Sequence, residues 1–129
     1  MADLWRTSID DSVAEGTTCQ ITGTLVDETG TAIPGASLTT LRFTLYNKTG
    51  LTILNSRNAV DILNANGGTV DSAGVVTMTL DPADNQIVGA GVGGGEQHVA
   101  LFEWTWASGV KKGRHEVPFH IVNLAVVTS

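Results

Sequence analysis

The chain has 129 residues, of which 42% are hydrophobic and 16% charged; it carries 15 glycines and a formal net charge of −6 at pH 7. This length predicts one domain that buries a core without disulfide or metal support, and the balance of residues is not that of a disordered chain. The acidic excess argues against a nucleic acid partner, the lone Cys19 excludes an intramolecular disulfide, and the lack of any 18-residue apolar run predicts no membrane span.

Residues 1–16, MADLWRTSIDDSVAEG, are acidic and unpatterned. They read as an N-terminal arm, either flexible or docked on a neighbouring subunit through Leu4 and Trp5. The domain proper is expected over 17–129. The arm has no basic stretch followed by an apolar run, so synthesis in the cytoplasm is expected.

From 17 to 26 the chain alternates, with Cys19, Ile21, Gly23 and Leu25 on one side, which predicts a strand. Asp27-Glu28-Thr29-Gly30 is a turn. A second strand is expected over 38–47, with Leu41, Phe43 and Leu45 toward a core. Short strands follow at 51–55, 59–63, 69–70 and 75–80, separated by glycine and asparagine clusters. Asp81-Pro82-Ala83-Asp84 reads as one short helical turn, capped by aspartate and opened by proline. The longest alternation runs over 96–106. His98, Ala100, Phe102, Trp104 and Trp106 share one face, while Val99 and Leu101 lie on the other, so this strand is expected to be central. After a loop at 107–112, Val117, Phe119 and Ile121 define the face of a last strand. About seven short strands with almost no helix predict an all-β sandwich.

Three motifs invite a catalytic or cofactor reading. His115, Glu116 and His120 suggest a zinc helix, but their spacing is H-E-x-x-x-H rather than H-E-x-x-H, and Pro118 stands between them. On a strand His115 and His120 face opposite sides. GAGVGG at 89–94 matches a dinucleotide fingerprint, yet a helical turn precedes it and a strand follows, the reverse of what phosphate binding needs. The acids are scattered at turns with no calcium-loop spacing, and no nucleophile elbow is present. No enzyme activity, cofactor or metal is expected. Trp104 and Trp106 are core residues on this pattern; if exposed, they would form a sugar-stacking platform instead. Lys111, Lys112 and Arg114 in VKKGR, and Gly91, Gly93 and Gly94 in the glycine run, are candidate assembly contacts. The cations are suited to an acidic segment of a neighbouring copy.

The order of these segments carries a resemblance. ITGTLVDETGTAIPGASLTTLRFTLYN, then VVTMTLDPADNQIV, a glycine break, HVALFEWTWASG and KKGRHEVPFHIVN together resemble the immunoglobulin-like domains of tailed-bacteriophage structural proteins. The type is that at the N-terminus of baseplate upper proteins and in neck or tail accessory proteins. The resemblance covers about residues 17–123 and implies an immunoglobulin-like antiparallel β-sandwich. It also implies a non-enzymatic virion component of neck, tail, baseplate or head decoration, in contact with other virion proteins and present as a homo-oligomer. The protein would then reside in the virion after synthesis in the host bacterium. The first segment is also similar to regulatory β-sandwich modules of carboxypeptidases and bacterial surface proteins. A carbohydrate- or cell-surface-binding module is the alternative function.

Overall fold

A computed structural model of the chain describes residues 5–8, 12–48, 51–87 and 96–122. Among these residues nine strands form two sheets: β1 (Trp5–Ser8), β2 (Ser12–Ala14), β3 (Cys19–Leu25), β4 (Leu38–Asn47), β5 (Val60–Asp61), β6 (Gly68–Val70), β7 (Val75–Leu80), β8 (Glu96–Trp106) and β9 (Lys111–Val122). One sheet has the order β1-β3-β7-β6 and the other β2-β9-β8-β4-β5. The chain is an all-β sandwich, and this strand order is that of an immunoglobulin-like fold. All pairings are antiparallel except that of β2 with β9, which is parallel.

Alternation explains the layers. Ile21 and Leu25 of β3 and Val76, Met78 and Leu80 of β7 face Leu41, Phe43 and Leu45 of β4, with Ala100, Phe102 and Trp104 of β8 and Val117, Phe119 and Ile121 of β9 completing the core. Each fully buried large side chain contributes about 1.5–3 kcal/mol. In the register of the second sheet, Phe43 lies opposite Phe102 and Leu41 opposite Trp104. The two phenyl rings are 5.1 Å apart and tilted by 51°. Gly113 lies opposite Trp104 on the other side. A β-carbon there would sit 2.5 Å from the indole, so only glycine leaves space for the ring. Strand β8 is central, as expected, and Val99 is only 2% exposed although it lies on the outward side.

Several expectations change. Residues 5–8 and 12–14 are not an arm; they are strands hydrogen-bonded to β3 and β9. The polar composition of the segment hid them, since short edge strands need no strong apolar period. Residues 1–4, Leu4 among them, and 9–11 lie outside the described residues, as does the glycine run with Gly91, Gly93 and Gly94. The short helical turn expected at Asp81–Asp84 stands there as a 3-10 turn, Pro82–Asn85, capped by Asp81, and a second 3-10 turn that was not expected spans Gly35–Ser37. Residues 51–55 form no strand. Leu51, Asn55 and Ser56 adopt left-handed backbone conformations, and only Ile53 bridges to Tyr46. This segment still closes the edge of β4, because Leu54 N–H donates to Leu45 and Leu45 N–H to Arg57.

A buried clasp joins the segment after β4 to the turn after β7. Asp84 is fully buried. Arg57 donates to it twice, Nε to Oδ1 at 2.9 Å and Nη2 to Oδ2 at 3.0 Å. Asn55 Nδ2 and the Asp81 backbone N–H each add a bond of 2.8 Å. Burial alone pushes the Asp84 carboxyl up. The guanidinium, the amide and the backbone donor outweigh it and hold the carboxyl below the usual carboxylate range. Asp81 accepts from Asp84 N–H in return, closing a capping box around Pro82.

Candidate interaction face

The outer side of the five-stranded sheet is built by the alternate positions of β4, β8 and β9. Arg42 stands opposite Asp61 of β5 and opposite Glu103 of β8, and Glu103 stands opposite Arg114 of β9. The result is a row across four strands that reads acid, base, acid, base. One step along the strands, Thr40, Thr105 and Lys112 form the neighbouring row. The Thr40 and Thr105 hydroxyls share a 2.8 Å hydrogen bond. On the other side Thr44, Leu101 and Glu116 align, followed by Tyr46, Val99 and Pro118. The Tyr46 hydroxyl donates to Glu116. That bond, with burial added, pushes the phenol above its ordinary value. Pro118 sits where β9 pairs with β8 but not yet with β2, whose partners begin at His120; a proline requires such a one-sided position.

Arg42, Glu103 and Arg114 of the first row and Thr40, Thr105 and Lys112 of the second line an open depression of about 820 Å³, with Asp61 outside it. Arg42, Lys112 and Arg114 supply cations, Glu103 the one carboxylate, Thr39, Thr40 and Thr105 hydroxyls, and Gly109 and Gly113 an unobstructed wall over Trp104. A register shift between Leu38 and Thr40 swings Thr39 to the rim. Among the described residues the ion pairs are Arg57 with Asp81 and Asp84, His98 with Glu96, and Lys111 with Glu28. Arg42, Lys112 and Arg114 belong to none of them.

The opposite outer face has a different chemistry. On β3, β6 and β7 it presents Gln20, Thr22, Thr24, Thr69, Thr77 and Thr79. Thr22 and Thr69 flank Thr77 in register, and Gln20 donates to Thr79 at 3.2 Å. These positions carry hydroxyls and an amide and no charge.

Of the residues singled out from the sequence, Lys112 and Arg114 come together at the depression. Lys111 turns away from it and bonds Glu28 at 2.6 Å. That contact holds the Glu28 carboxyl below its ordinary value and lifts the Lys111 ammonium. Trp5 occupies a backbone register position opposite Leu25. Trp104 is 1% exposed and Trp106 packs against the core, so the pair forms no open stacking platform. His115 and His120 face opposite sides of β9, aligned with Phe102 and Gln97. Among the described residues no group of three or more His, Cys, Asp or Glu side chains is placed to hold a metal. No helix among them is long and apolar enough to cross a membrane.

Sequence reasoning missed Arg42, Glu103, Thr40, Thr105 and Asp61. Their signal was present as the outward half of each alternation, T-x-R in β4 and E-x-T in β8, but cross-strand register had to bring the halves together. It also missed the buried pair of His98 and Glu96, whose Nε2 and Oε2 lie 2.6 Å apart. Burial pushes the His98 imidazole below its ordinary value, against the pull of Glu96. No protein-family model matches this chain, and no curated protein matches it.

Proposed function

We propose that this chain is a non-enzymatic structural component of a tailed-phage virion that works through protein–protein contacts. The observation that carries the reading is the asymmetry of the two outer faces. Over β3, β6 and β7 one is uncharged and hydroxylic. The other holds Arg42, Lys112 and Arg114 around an open depression, none of them in an ion pair among the described residues. Charges fixed on a stiff sheet without an internal partner give orientation and specificity to a docking event. The segment order that resembles phage immunoglobulin-like domains supplies the particle context.

Immunogold labelling of purified particles with an antibody against this chain tests the proposal. Label at one fixed place supports it and names the neighbourhood. Unlabelled particles, with all antigen in the soluble lysate, would overturn it.

A further inference from the structure

We infer that the depression between β4, β8 and β9 docks an extended acidic segment of a different protein subunit. This inference rests on the assembly reading and names the chemistry of the contact. Three observations carry it. Arg42, Lys112 and Arg114 form no ion pair among the described residues and line one open concavity. The chain as a whole is acidic, at −6, so an anionic segment is repelled over most of the surface and attracted here. The hydroxyls of Thr40 and Thr105 use one O–H donor between them, which leaves the other to be donated outward.

The order of charges selects a polypeptide over a compact polyanion. Glu103 stands between Arg42 and Arg114 and repels a phosphate or sulfate placed centrally. The two arginine positions are two interstrand steps apart, roughly 10 Å. On an extended segment in the polyproline-II conformation, with three residues per turn and a rise of about 3.1 Å, carboxylates three residues apart share one side and span about 9 Å. Such a segment sets one carboxylate on each guanidinium and a backbone N–H or a lysine over Glu103. The chain's own acidic N-terminal stretch is not the occupant, because its strands at 5–8 and 12–14 are already paired within the domain.

The test is a backbone-amide NMR titration of the full chain with an acidic decapeptide bearing aspartate at every third position. Its asparagine and lysine counterparts, inorganic phosphate and a sulfated oligosaccharide serve as parallel probes. The expected result is displacement of the Arg42, Glu103, Thr105 and Arg114 resonances by the aspartate peptide alone. The affinity should fall at least about tenfold between about 50 and about 200 mM salt. Arg42→Gln with Arg114→Gln should abolish binding, and Lys111→Gln should leave it intact. The inference is overturned by no displacement, by displacement elsewhere, or by phosphate or the sulfated sugar moving the same resonances at lower concentration. Binding of the lysine peptide overturns it too, without recourse to any variant. Particles that take up the Arg42→Gln/Arg114→Gln chain at wild-type level remove this site but leave the assembly reading standing. Specific peptide binding by a chain absent from particles does the opposite.

Discussion

A methyl group at position 113 would lie 2.5 Å from the Trp104 ring, and the ring cannot retreat because it is packed in the core beside Leu41. Gly113→Ala should therefore cost about 1–3 kcal/mol, read as a lowered urea midpoint with an unchanged slope. Asp84 is a second sensitive position. Asp84→Asn removes the bidentate carboxylate partner of Arg57 and leaves the guanidinium only the longer 3.8 Å contact with Asp81, a loss of up to about 3–5 kcal/mol for a buried pair. The folded-state carboxyl lies below its unfolded value, so its contribution is present above about pH 4 and is lost as the pH falls through the folded pKa. The acid limb of the stability curve should flatten in the variant. His98 acts in the opposite range. Its folded pKa is depressed by burial, so below about pH 6.5 the unfolded chain binds a proton that the native core resists. Stability should fall as the pH drops through that window, with Glu96 the carboxylate in contact with the ring. Thermal melts from pH 7 to pH 5 on the wild type and on His98→Gln would measure the difference; the same slope in both would sink the assignment.

At the level of elements, the short N-terminal strands matter more than their length suggests. β1 and β2 cover one edge of each sheet. Deleting residues 1–14 should broaden the thermal transition and promote aggregation, because it uncovers the backbone edges of β3 and β9. Light scattering on heating would detect it, and a clear, unshifted melt would return the segment to the status of an arm. These strands were the least legible part of the sequence, since Trp5–Ser8 and Ser12–Ala14 are too short to show a period. The long strands were legible. β4 and β8 occupy the stretches that alternation assigned to them, because ten or more residues with one buried face leave no other register. The connection at 51–59 misled for a stated reason: leucine and isoleucine there suggested a strand, while left-handed turns at Leu51, Asn55, Ser56 and Ala59 break it. Of the interaction face, Lys112 and Arg114 could be found as a cluster in sequence. Arg42 and Glu103 could not, since 61 positions separate them along the chain and only the β4–β8 register makes them neighbours.

At the scale of the whole molecule, most pairings join segments far apart in sequence; β8–β9 is the main hairpin. Such topologies fold slowly, in milliseconds to seconds, because loops must close before contacts form. The parallel pairing of β2 with β9 has a mechanical side. Ser12, Val13 and Ala14 lie beside His120, Ile121 and Val122 and run in the same direction. A pull that draws the segment before β2 away from the segment after β9 slides the two strands past each other. Their bonds then bear tension together, as in a lap joint, and do not open one at a time like a zipper. A domain tethered at both of these points resists traction along its length better than traction across its sheets.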